Sequence, residues 1–497
     1  MTDIYTKHKP IRNKIKRYEP LSIVEIAISK LHELDDLKPT KWNGYLPWAI
    51  LLLIRWTYQY SEPSSELKKI TMSDFNKLHN AITELGDGIE LEGQNESNKF
   101  DSFLRRTMFC QLPYQLRPYE LSASFGRQLI LFSDMGQSYN LDIKFKSITG
   151  ISIEDFVTVY FACWTACSVG EKNQLSIGYF NGKIPEEILS CFFNTLSLDL
   201  GGGKIYIREY TDPRASIDYQ QNEHTPLERK PFFKHNGNFF PYSSKLLESG
   251  FINNIYDIFK KDNRDFSRDY FGDIFEDYVA KGMQYAFGES FLREKRIKQL
   301  LPKGVKVPDF MLNEEDSTIM FDAKSTELHS IPRVIQTKES LIKNLEDTVL
   351  HGLIQIYSSI HHLIESNKLN DTNKIFGVIV TYREYLLGDG KRLWEDYVGE
   401  HIQQKLNSDN ITPYIDPKRL FIISIDDFDW LVSGAKERKE SVSSILEEIS
   451  ERNERAETRC LILKQHLEKM WGQHYSPPYV KERRNSSVDG LLDNYKK

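Results

Sequence analysis

Val307-Pro308-Asp309-Phe310-Met311-Leu312 and Ile319-Met320-Phe321-Asp322-Ala323-Lys324 decide how this chain is read. Each run is short, apolar-rich and bounded by polar residues, as strands are. Asn313-Glu314-Glu315-Asp316-Ser317 between them is turn chemistry, so an antiparallel hairpin is expected. Side chains alternate along a strand. Phe321 is therefore expected to face the core, with Asp322 and Lys324 together on the opposite, solvent-reachable face. Pro308 cannot donate a ladder bond, which puts that spot at an edge or bulge, and it biases Val307 to extended geometry.

Two carboxylates and a lysine on one strand face make a poor structural choice unless the charges are paired or hold a metal. Hard oxygen ligands suit Mg²⁺ or Mn²⁺. A neighbouring lysine can orient a water. This is the equipment of metal-assisted phosphodiester hydrolysis.

The surrounding pattern supplies a context. Asp269 to Phe287 reads as a helix, with Phe271, Phe275, Tyr278 and Val279 at helical spacing and Glu276 beside Phe275. Ser290 to Ile297 reads as a strand. A long helix is expected from Ser340 to Ser366, with Leu341, Leu345, Val349, Leu353, Ile356, Ile360 and Ile364 as its stripe. Ile375 to Thr381 is a near-continuous apolar run, as in a buried strand, and Leu420 to Ile425 reads as another.

Pro308-Asp309 and Asp322-Ala323-Lys324 in this order of elements resemble the PD-(D/E)xK nuclease superfamily. The resemblance covers Asp269 to Thr381 and implies a restriction-endonuclease-like α-β-β-β-α-β core. It implies Glu276, Asp309, Asp322 and Lys324 as catalytic residues. Asp309, Asp322, the Ala323 carbonyl and Glu276 would hold Mg²⁺ or Mn²⁺, and DNA would be the substrate. Some branches carry a glutamine and a tyrosine four apart on the long helix. Gln355 fits the first place, but Ser359 stands at the second, so the branch stays open.

Phosphate-backbone contacts are expected from Arg293, Lys295 and Arg296, with Lys298, Lys303 and Lys306 following. His351, Gln355 and Ser359 form a polar row opposite the apolar stripe, and Gln355 joins the candidate nucleic-acid contacts. His351 is expected to be an exposed polar residue.

The rest of the chain sets the frame. At 497 residues it is too long for one core. Hydrophobic residues make up 40% and charged residues 27%, as in a globular protein. The net charge of −6 excludes a basic nucleic-acid coat but not a local positive cleft. The five cysteines show no CxxC, so no zinc site is expected and a reducing cytoplasm fits best. No secretory signal and no membrane span are expected; Leu46 to Ile54 is too short and reads as a buried helix.

An α/β multidomain protein follows. Residues 1–20 are a basic arm, read mainly as a solvated tail. Residues 21–230 form a mainly helical domain for target or partner recognition. Residues 231–475 form the nuclease domain with C-terminal helices, and 476–497 a polar, mobile tail. In the helical domain, segments are expected at Trp48–Tyr60, Ser73–Leu85, Phe100–Cys110, Tyr119–Phe132 and Ile153–Ser168. An acidic loop is expected at Asp87–Asp101. Leu200-Gly201-Gly202-Gly203-Lys204 lacks a Walker pattern and is expected to turn into a strand. Phe232–His235 and Phe239–Phe240 flank Asn236-Gly237-Asn238 as a hairpin. A segment near Lys391 to Leu406 is amphipathic. Ser424 is expected to end a strand and cap a helix, and Glu437 to Trp471 to form one long helix for packing or dimerisation.

Restriction or anti-phage defence is the role suggested by a helical extension on such a core. Two other readings remain: a silent nucleic-acid-binding or assembly protein on a nuclease-like core, and an RNA-directed nuclease activated by a partner.

Overall fold

In a computed structural model of the chain, the described residues are 4–62, 66–86, 107–108, 110–111, 114, 121–170, 173–180, 182–211, 217–328, 338–370 and 373–496. The segment expected as a helix at Phe100–Cys110 falls largely outside them, and the acidic loop expected at Asp87–Asp101 lies wholly outside them. Among the described residues the protein is mixed α/β and mainly helical, with one four-stranded and one five-stranded sheet. Two compact units divide the chain: residues 1–263 with 483–497, and residues 264–482. Among the described residues no helix is long and apolar enough to cross a membrane.

The first unit is built on helices α1 (Ile4–Ile15), α2 (Pro20–Asp35), α3 (Pro47–Tyr60) and α4 (Met72–Gly86). The basic arm is not a solvated tail. His8, Ile11 and Ile15 recur at helical spacing and are buried, while Lys7, Lys9 and Lys16 point outward. Helix α3 is apolar all round and buried along most of its length, as the run at Leu46–Ile54 predicts. Its one charge, Arg55, is 1% exposed and pairs with buried Glu223. Thr71 caps α4, ahead of the segment expected from Ser73: its hydroxyl accepts from the Asp74 N–H at 3.2 Å.

The chain continues through α5 (Leu121–Gln128) and α6 (Ile153–Ser168), then strands β1 (Leu175–Ser176) and β2 (Ser197–Leu198). The glycine run does not turn into a strand. It opens helix α7 (Leu200–Tyr210), because the Asp199 carboxylate accepts from the Gly202 N–H at 2.6 Å. Gly203 is required by packing: a Cβ there would lie 2.4 Å from the Tyr58 ring. This helix start is already filled by its own carboxylate.

Strands β3 (Phe232–His235) and β4 (Asn238–Pro241) form the expected hairpin. They pair outward with β2 and β1, in the order β1-β4-β3-β2. The hairpin, and helix α8 (Ser244–Asp262) after it, thus belong to the first unit rather than to a domain beginning at residue 231.

The second unit carries α9 (Gly272–Phe287), β5 (Phe291–Arg293), α10 (Glu294–Leu300), β6 (Phe310–Glu314) and β7 (Ser317–Lys324). Next come α11 (Lys338–Leu345), a π-helical turn at Glu346–Leu350 and α12 (His351–Glu365). Strands β8 (Lys374–Thr381) and β9 (Leu420–Ser424) complete the sheet, in the order β5-β6-β7-β8-β9. The pairs β5–β6 and β6–β7 are antiparallel, and β7–β8 and β8–β9 parallel. The strand expected at Ser290–Ile297 is only three residues long. From Glu294 the chain is helical, with Ile297 buried on its inner side. Lys295 and Arg296 therefore do not share a strand face with Arg293.

Ser424 ends β9 and caps α13 (Ile425–Arg438) in a reciprocal capping box with Asp427. The long helix expected from Glu437 is instead α14 (Val442–Asn453) and α15 (Leu463–Trp471). Lys439 in a left-handed conformation (φ 58°) ends α13, and Ser441 caps α14. The tail is helical too, as α16 (Pro478–Lys496), and Arg483 in the first unit bonds both Asp134 and Glu154.

Candidate active site

The hairpin register pairs Phe310 with Phe321. The next residues along, Asp309 and Asp322, are therefore cross-strand neighbours, and like charges so placed repel. Phe310 and Phe321 are fully buried, with Phe321 edge-on to Phe428 of α13. Asp322 is not solvent-reachable as the alternation suggested: it is 1% exposed. Both faces of the sheet are covered, and α12 lies over the Asp322 side. A Cβ on Gly352 would come within 2.4 Å of Asp322 Oδ2 and 2.8 Å of Ile379 Cδ1. Only glycine lets the helix backbone approach the carboxylate this closely.

Asp309 Oδ2 accepts from the Ala323 N–H at 2.7 Å. The Lys324 ammonium lies 2.5 Å from Asp322 Oδ2, which takes no hydrogen bond of good angle. Burial and the negative charge of Asp322 push the Asp309 carboxyl up to about 8, against the pull of the Ala323 N–H. Burial also pushes Asp322 up, with Lys324 opposing. Burial and mutual repulsion thus disfavour two free negative charges on the pair, a cost that a proton or a bound cation would relieve. Asp309, Asp322 and the Ala323 carbonyl fit a divalent ion by the chemistry of their oxygens.

Glu276, on α9, is half-buried and close enough to raise Asp309. Its own carboxyl is raised by burial and then by Glu294, Asp277 and Asp273. Among the described residues, however, no three His, Cys, Asp or Glu side chains gather closely enough to hold a metal by themselves. Glu276 stands in the electrostatic surroundings of the pair.

Lys324, Thr381 and Ser424 are in register at the carboxyl ends of three parallel strands. That edge is where open α/β sheets bind ligands.

The remaining sequence candidates are placed differently. Arg293 ends β5, exposed and 3.9 Å from Asp277. Lys295 and Arg296 are exposed on α10. Gln355 points inward: its Nε2 donates to the Val307 carbonyl at 3.4 Å. Ser359, fully buried, donates to the Lys306 carbonyl at 3.3 Å. The polar row on α12 therefore braces the segment leading into Pro308-Asp309.

Sequence reasoning missed His351 and Gly352. His351 Nε2 lies 3.3 Å from the Lys306 ammonium, and its pKa is lowered by burial and then by Lys324 and Lys306. Its place four residues before Gln355 on the polar row was the available signal. Gly352 carried none, since one glycine in a helix is more often incidental.

Comparison with protein families, with characterised proteins and with solved structures finds no match for this chain.

Proposed function

We propose that this chain is a metal-dependent nuclease of the PD-(D/E)xK kind, hydrolysing phosphodiester bonds in DNA. The observation that carries this reading is the arrangement at the end of β7: Asp322 holding Lys324 at 2.5 Å, beside an Asp309 fixed by the Ala323 N–H. The sequence of α9, β5, β6, β7, α12 and β8 around it supports a restriction-endonuclease-like core, with α10 inserted between the first two strands.

Asp309, Asp322 and the Ala323 carbonyl would hold Mg²⁺ or Mn²⁺. Such an ion supplies charge neutralisation at the phosphate and an acidified water. Lys324, fixed by Asp322, orients the attacking water and stabilises the charge that develops on the phosphate oxygens. Glu276, whose carboxyl is raised by burial, would support the metal site from its place in the surroundings of Asp309. A role in restriction or anti-phage defence is consistent with a separate, mainly helical unit of this size in the same chain.

One observation favours a second reading. The absence of a three-carboxylate group among the described residues suits a protein that binds nucleic acid without cutting it. Calorimetry separates the two. Under the nuclease reading, Mg²⁺ or Mn²⁺ binds the wild type and not Asp322→Asn, and plasmid DNA is cut in a reaction that EDTA stops. Absence of both metal binding and cutting, on DNA and RNA alike, would leave the binding-protein reading.

A further inference from the structure

Resting on that reading, we infer that Lys306 is a backbone-phosphate contact for the DNA beside the Asp309–Asp322–Lys324 centre, and that His351 positions it. Lys306 lies three residues before Asp309, and His351 one residue before the glycine that abuts Asp322. The two side chains meet, Nζ to Nε2, at 3.3 Å. An ammonium has three donors and no acceptor, so the ring nitrogen must accept. The His351 ring is then neutral at Nε2. Among the described residues, no carboxylate partner accompanies this contact. Lys306 itself is exposed, which leaves its ammonium further donors for a ligand.

The lysine does not sit on a loose strand of backbone. Its carbonyl accepts from Ser359 Oγ and the next carbonyl, of Val307, from Gln355 Nε2. His351 is itself fixed at the first turn of α12, directly after the π-helical turn at Glu346–Leu350. Such turns often mark functional positions. A basic side chain braced at both its backbone and its head, unpaired with a carboxylate and close to a hydrolytic centre, has the chemistry to grip a phosphodiester anion. Lys298 lacks this character, since its ammonium is paired with Glu294.

The test is binding of a labelled DNA duplex to the full-length protein, in EDTA so that nothing is cut, across a salt series. Lys306→Gln is expected to weaken binding severalfold and to lower the slope of log affinity against log salt by about 0.9, one phosphate's worth. Lys306→Arg is expected to keep the slope. His351→Asn is expected to weaken binding in the wild-type background and to add nothing in Lys306→Gln, because its effect runs through the lysine. A wild type that binds and, with Mg²⁺, cuts DNA, while Lys306→Gln binds with unchanged affinity and slope, overturns this inference alone. A wild type that neither binds nor cuts DNA overturns it together with the nuclease reading.

Discussion

Gly352 is the residue on which the site is most tightly built. Its Cα faces the Asp322 carboxylate, and an added methyl would lie 2.4 Å from Oδ2. Gly352→Ala is expected to push Asp322 away from Lys324. Overpacking of this size costs about 1–3 kcal/mol. The variant should therefore melt somewhat lower and lose most of its cutting, as thermal unfolding and a cleavage assay would show. Full activity would mean that Asp322 need not stay where it is. The same scale explains an error of reading. Alternation along β7 correctly paired Asp322 with Lys324 and opposed both to Phe321. It could not show that a helix covers the second face, because that depends on a glycine with no pattern of its own.

Helix α12 shows how an element can be legible and its purpose not. Its apolar stripe is plain in the sequence, and Leu353, Ile356 and Ile360 are fully buried as expected. Its polar row looked like a solvated or DNA-facing edge. Instead Gln355 and Ser359 bond the carbonyls just before Pro308-Asp309. Removing a hydrogen bond of this kind costs about 1 kcal/mol when its partner is left buried. Ser359→Ala is expected to lower stability by about that amount, and Ser359→Ala with Gln355→Leu to slow cutting by loosening Asp309. Unchanged activity in the double variant would show that Asp309 is held by the Ala323 N–H alone. The first strand of the second sheet misled for a different reason: Arg293 to Lys298 holds a single apolar residue, Ile297, which distinguishes neither period, and the chain turns helical at Glu294.

At the scale of the molecule, the unit boundary was the least legible feature. Phe232–Pro241 has the local signature of a hairpin, yet its partners β1 and β2 come from residues 175–198. Such long-range pairing leaves no mark in local composition. The C-terminal helix likewise hides its place in Arg483, whose charge looks like any surface charge until Asp134 and Glu154 are set beside it. A titration tests the packing of the second unit. Burial, then the charge of Asp427, push Glu384 up to about 8 from an ordinary 4.5. A carboxyl whose folded pKa is raised favours the fold while protonated and loses that contribution as pH rises from 4.5 to about 8. Glu384→Gln is expected to remove this loss, so its melting temperature should gain on the wild type's as pH rises. Parallel pH curves would contradict the buried, protonated carboxyl.

The central claim is that the carboxylates and lysine at the end of β7 hydrolyse DNA. The most direct measurement is plasmid cleavage with Mg²⁺ by the wild type beside Lys324→Ala and Asp322→Asn, all checked for folding by circular dichroism. The account predicts metal-dependent cutting by the wild type, and a loss of at least about a hundredfold in each folded variant. Wild-type cutting that survives in both variants would contradict it.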